Sequence, residues 1–283
     1  MYNVVGQSPG GGEGTTTPDS TTNPPNTLPG ECGEDRNWVV YVIDTNTGEW
    51  KNPCTQEEPP IEWPDEPGEY NLNNPCDVVD SLLTTNIFKQ HLKDLRDSTP
   101  VHHEKAISFT IPDTSIVTHS YYTGQGVLEV TVTPASPVDG IMHNHYDTSA
   151  RLPIFSADDI VCLAYRFVHN EIKNIQTFTY TLVTNNTSYI IMIEDASKFM
   201  NFVSSWFDTD NHIRNFRTHL YRNHNVGGPG LSDADNERNF LQALAAFPAS
   251  GCGLKLFRGN SGMTVFSPIK INATGQTEPD PCN

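Results

Sequence analysis

The chain is short of positive charge. Its 283 residues hold 17 Lys and Arg against 34 Asp and Glu, a formal net charge of −17. That balance excludes the basic footprint with which proteins grip nucleic acid, so no nucleic-acid partner is expected. The deficit is uneven. Residues 1–75 carry 13 acidic against 2 basic side chains, whereas the remainder carries 21 against 15. The acidity therefore belongs mostly to the N-terminal part, where like charges keep an extended segment solvated. Long apolar runs are also missing: no stretch reaches the roughly 18 residues a membrane-spanning helix needs, and no transmembrane segment is expected. The opening MYNVVGQSPGGGEG has no basic region followed by an apolar core, so no signal peptide is legible. Absent too are G-x-x-x-x-G-K-[ST], G-x-G-x-x-G and G-x-S-x-G, which removes the phosphate loop, the dinucleotide turn and the nucleophile elbow.

Six cysteines are present, Cys32, Cys54, Cys76, Cys162, Cys252 and Cys282, and no two form a Cys-x-x-Cys pair. A thiolate zinc site is not expected. Cys32 and Cys54 bracket a hairpin pattern, WVVYVID–TNTG–EWKN, whose core is too small to hold itself, so a bridge there would supply stability. Cys76 and Cys282 flank the globular region in Asn/Pro-rich contexts, and pairing them would tie its ends together. The even count and the stalk-like N-terminus point to export, to a periplasm or cell surface; unpaired thiols in a reducing cytosol are the competing reading.

Four regions follow from composition. Residues 1–31 read as a flexible Gly/Thr/Pro-rich stalk, 32–54 as the small hairpin, 55–75 as an acidic Pro-rich linker, and 76–283 as the globular domain. In that domain DVVDSLLTTNIFKQHLKDLRDS has helical apolar spacing, followed by strand patterns in KAISFTI, SIVTHSYYT, VLEVTVTP and GIMHNHY. SADDIVCLAYRFVHN is helical again, with Ser156 as its cap. A hairpin (IQTFTYTLVT–NNTS–YIIMIE), two helices (around SKFMNFVSSWF and DADNERNFLQALAAF) and a last hairpin (GLKLFRGNSGMTVFSPIKI) complete the order. This predicts a mixed α/β (α+β) sandwich whose central, mainly antiparallel sheet is flanked by helices.

Chemistry concentrates between Gly140 and Ile160. His143 and His145 are two apart, so on an extended strand both imidazoles leave the same face and can reach one ion at about 2.0–2.1 Å. Asp159, in the first turn of the next helix, can supply a third ligand, with the neighbouring Asp158 as the alternative. Two His and one carboxylate leave a fourth position for water, the arrangement of a hydrolytic Zn2+ site. Ser156 could aim its hydroxyl at a developing oxyanion. Glu104, at the head of KAISFTI, is the candidate general base. Ser156 with Asp159 also fits plain helix capping, S-x-x-D, which explains many such pairs without any metal.

A Glu opening an early strand, then H-x-H at a strand end, then S-x-x-D opening a helix, resembles the JAB/JAMM (MPN) metallopeptidases. The resemblance covers roughly residues 77–205 and implies the JAB/MPN-like fold, with zinc on His143, His145 and Asp159, oxyanion support from Ser156 and water activation by Glu104. A Gly/Pro-rich N-terminus before such a domain also resembles proteins of Bacteroidetes type. The implied activity is a zinc-dependent peptidase or isopeptidase acting on a peptide, protein or cell-wall peptide. The ten residues between His145 and Ser156 exceed the family's usual spacer, and Tyr146 stands where the family has Pro.

Other candidates are read as structural. Cys162 lies on the apolar side of its helix and is expected in the core. His212, His219 and His224 lack ligand spacing and are expected on a solvated or substrate-facing surface. His102 or His103 could orient Glu104. Two rival functions remain: a catalytically inactive scaffold of the same fold, and a surface-displayed interaction module suggested by the stalk.

Overall fold

The computed structural model describes residues 42–43, 50–51, 74–101, 103–111, 116–123, 130–146, 152–247 and 251–281. Val42–Ile43 (β1) and Trp50–Lys51 (β2) pair antiparallel, Val42 opposite Lys51 and Ile43 opposite Trp50. They belong to a unit, Tyr2–Tyr70, that is separate from the unit Asn71–Asn283. The stalk, most of the acidic linker, His102 and Cys32, Cys54 and Cys282 lie outside the described residues.

The larger unit opens with two helices, Pro75–Thr84 (α1) and Asn86–Asp97 (α2). One helix is what the apolar spacing predicts; the break falls at Thr85, whose backbone is extended at φ −82 and ψ 132. Thr84 and Thr85 turn their hydroxyls back onto the carbonyls of Ser81 and Leu82, at 2.7 Å each. Such local bonds compete with continuing the helix. Asn74 caps α1, accepting from Cys76 N at 3.0 Å, and Pro75 at the first position costs nothing because its missing N–H has no helical partner. Cys76 is disulfide-bonded, while Cys162 and Cys252 are free, so the partner of Cys76 lies outside the described residues.

An eight-stranded sheet follows, built from Lys105–Thr110 (β3), Val117–Thr123 (β4), Gly140–Asn144 (β5), Thr179–Val183 (β6), Ser188–Ile193 (β7), Leu254–Gly259 (β8), Phe266–Ile271 (β9) and Thr277–Pro279 (β10). Its order is β10-β9-β8-β7-β6-β5-β3-β4, and every pair is antiparallel except β5–β6. The parallel pair has a plain cause: a helix, Ala157–Val168 (α3), lies between β5 and β6, and a crossover helix returns the chain in the same direction. Three more helices, Ala196–Trp206 (α4), Asp210–Thr218 (α5) and Asp233–Ala245 (α6), sit between β7 and β8.

Strand alternation sorts the core into two layers. Ile141, Tyr180, Leu182, Tyr189, Ile191 and Ile193 pack with Ile160, Leu163, Phe199, Phe216 and Phe240 of α3–α6. Met142, Val183, Ile190 and Met192 face the other way and pack with Val79, Leu82, Phe88 and Leu92 of α1 and α2. The sheet is thus sandwiched between helical layers, each fully buried side chain contributing about 1.5–3 kcal/mol of hydrophobic stabilisation. Gly140 is required by this packing: it lies opposite Phe109, and a Cβ there would stand 2.1 Å from the phenyl ring.

Three segments add detail to the sequence reading. VLEVTVTP predicts a strand, yet the described part, 130–134, pairs with none. The N–H of Val130 goes to a Glu104 carboxylate oxygen instead, and Pro134 has no N–H to offer a ladder. The segment read as a histidine-bearing surface is the helix α5, capped by Thr209 and continued by a π turn, His219–Asn223. Ile213, Phe216 and Leu220 supply its apolar side at helical spacing, masked in the sequence by three arginines. The last strand, β10, has no periodic signal in its three residues.

Candidate metal centre

β5 is buried at every position, and its alternation decides where the histidines point. Ile141 faces α3–α6, so His143 and His145 do too, and Asn144 faces α1 and α2. Asp159 comes to meet them from the first turn of α3, and all three residues are at most 5% exposed. His143 Nε2 lies 3.0 Å from Asp159 Oδ1, and His145 Nε2 lies 3.3 Å from Asp159 Oδ2. Ligand atoms arranged tetrahedrally around one ion at 2.0–2.1 Å stand about 3.3 Å apart, so these spacings suit one shared cation.

Hydrogen bonding alone leaves the cluster unsatisfied. Both nitrogens of His143 are buried without a hydrogen bond, because the 3.0 Å approach to Asp159 lacks the direction an N–H would need. A buried imidazole in that state costs free energy that a coordinated ion would return. His145 differs: its Nδ1 lies 2.9 Å from the Leu152 carbonyl, so Nδ1 carries a proton and Nε2 is the nitrogen turned toward Asp159. Although burial opposes charge at both groups, the two imidazoles, His143 foremost, hold the Asp159 carboxyl well below its usual range. Burial likewise pulls His145 toward neutrality, but Asp159 and then Glu104 outweigh it and keep its pKa raised. His143, His145 and Asp159 could together hold a metal ion.

The rest of the predicted set is placed around this trio. Ser156 caps α3 in a capping box: its Oγ accepts from Asp159 N at 3.1 Å and donates to Asp159 Oδ2 at 2.8 Å, while its own N–H donates to the same oxygen at 2.6 Å. Those two donors fix the rotation of the carboxylate. Asp158, the alternative ligand, points elsewhere and accepts from Arg217 Nε at 3.0 Å. Glu104 is buried and one residue ahead of β3; since Ala106 pairs with His143, continuing that register sets Glu104 across from His145. One of its oxygens accepts from Val130 N at 3.3 Å.

Cys162 is half-buried on α3, and burial pushes its thiol up in pKa. The three later histidines are partly exposed: His212 pairs with Asp208, His219 reaches the Ala243 carbonyl at 3.1 Å, and the His219 and His224 rings lie 4.6 Å apart. Among the described residues no second group of His, Cys, Asp and Glu converges as a metal site. Sequence reasoning overlooked Tyr221, whose hydroxyl accepts from Ala157 N at 2.9 Å; only the hidden periodicity of α5 would have found it.

No helix of the described residues is long and apolar enough to cross a membrane. No family model, no curated protein and no solved structure matches the chain. What the centre can do rests on its atoms.

Proposed function

We propose that the chain is a zinc-dependent peptidase or isopeptidase of JAB/JAMM type that hydrolyses an amide bond in a peptide, protein or cell-wall peptide. The observation that carries this is the convergence of two imidazole nitrogens and one carboxylate, buried and spaced as the ligands of a single ion. Two His and one Asp suit zinc and leave a coordination position for water. When bound there, zinc lowers the pKa of that water toward 7 and polarises a substrate carbonyl. The chain's own groups then have distinct tasks. Glu104, anchored at one oxygen by Val130 N, accepts a proton from the attacking water and passes it to the leaving amine. Ser156 orients Asp159 through its hydroxyl and stands at the mouth of α3, where it can turn toward a developing oxyanion. His145 is kept in one tautomer by the Leu152 carbonyl, so its donor nitrogen is always presented.

The test is zinc content and turnover in paired proteins. Elemental analysis of the reconstituted full chain should find one zinc per chain. Glu104→Gln should keep that zinc while cleavage of a peptide library falls by at least about 100-fold, the usual range for a lost general base. A chain without zinc, or a Glu104→Gln variant as active as wild type, ends this reading. The disulfide at Cys76 favours a second one, a surface-displayed interaction module. For such a module a chelator should leave binding and melting temperature unchanged.

A further inference from the structure

Asp159 is presented by a helix end, and that end is held from outside. Two residues of the α5 segment reach it: Arg217 bonds the Asp158 side chain, with Nε at 3.0 Å, and Tyr221 Oη accepts from Ala157 N at 2.9 Å. They are four apart, hence on one side of their helix. At this point the helix widens, His224 N bonding back to His219 O at 3.1 Å over a π turn, and Tyr221 sits inside it. π turns displace one side chain from its α-helical track, and they concentrate at functional sites. Here the displaced stretch delivers a phenol to one of the N–H groups that a helix start cannot satisfy internally. Ser156 already serves Asp159 N, so Tyr221 and Ser156 divide the first turn between them.

We infer that Tyr221 is a positioning residue for the metal centre, gripping the first turn of α3 so that the Asp159 carboxylate meets both imidazoles. The inference rests on the metal-centre reading above and adds the group that sets its geometry. Without the phenol oxygen, Ala157 N–H loses its acceptor at a half-buried site and competes for Ser156 Oγ, the atom that fixes the rotation of Asp159. The ring itself is not needed for this; the oxygen is. Arg217 holds the neighbouring residue through a side chain, so its loss should be felt less.

Tyr221→Phe in the full chain is the test, with Zn2+ and Co2+ alone as probes. Zinc affinity should fall by about tenfold, the low end for loss of a group that orients a ligand. The visible absorption of the Co2+-loaded protein should shift as the coordination geometry relaxes. A merely structural phenol would lower the melting temperature and leave zinc affinity and Co2+ spectrum as in wild type, and that result overturns the inference. Should Tyr221→Phe fail to fold, Arg217→Met reports on the same turn; a few-fold weaker zinc binding supports the grip, and wild-type affinity overturns it. A wild-type chain that takes up neither ion overturns the metal centre and this inference with it. A wild-type chain that binds, beside a variant that binds equally, overturns the grip alone.

Discussion

The same four-residue pattern opens two helices of this chain, and only one of them brings its aspartate to a pair of histidines. Ser156-Ala157-Asp158-Asp159 starts α3 and Ser232-Asp233-Ala234-Asp235 starts α6. Both are capping boxes of nearly equal geometry: the serine hydroxyl donates to the aspartate at 2.8 Å in one and 2.6 Å in the other, and each aspartate N–H returns a bond at 3.1 Å. They part at the remaining carboxylate oxygen. In α6, Asp235 Oδ1 accepts from Arg238 at 2.7 Å on an open surface. In α3, Asp159 Oδ1 is buried and confronts an imidazole that makes no hydrogen bond. Capping is therefore sufficient to explain S-x-x-D, and what makes one cap a candidate ligand is burial beneath a pair of histidines on an adjacent strand.

Replacing each aspartate by alanine should separate the two most sharply. Asp159→Ala should abolish zinc uptake, whereas Asp235→Ala should bind zinc as wild type and be only slightly less stable, having lost one member of a surface capping box. Calorimetric zinc titration and denaturant unfolding read both. If Asp235→Ala also lost zinc, the distinction between the boxes would collapse.

The serines should differ by less. Ser156→Ala and Ser232→Ala should each cost about 1 kcal/mol in unfolding, but only Ser156→Ala should weaken zinc binding, by about tenfold, because it frees the rotation of Asp159. Equal zinc affinities would reduce Ser156 to a cap.

The smallest effect is a pH dependence in the metal-free protein. Both carboxyls are depressed, Asp159 despite burial and Asp235 chiefly by Ser232, so both contribute stability above about pH 4 that is lost as pH falls through their folded values. The α3 box has a second limb. His145 is raised in the folded state, so its contribution is full below about pH 6.5 and is lost as pH rises through the folded value. The stability gap between wild type and Asp159→Ala should therefore narrow from pH 6 to pH 8 in the presence of a chelator. The gap for Asp235→Ala should stay level across that range.

How far the sequence carries is instructive at particular residues. The histidine pair and Asp159 are legible because period-two alternation and a helix start are local rules. Choosing Asp159 over Asp158 needs the phase of α3 against the sheet, which the packing of Ile160 and Leu163 decides. Glu104 is legible as the head of a strand, but its place across from His145 depends on a β3–β5 pairing that skips β4. The helix break at Thr85 and the role of Tyr221 are invisible in composition, because each turns on a single hydroxyl finding a backbone partner.

X-ray absorption at the zinc edge of the reconstituted chain tests the central claim most directly. Two imidazole nitrogens and a carboxylate oxygen, at about 2.0–2.1 Å, are the predicted neighbours of the ion. Sulfur neighbours, a shell without imidazole, or no retained zinc would contradict it.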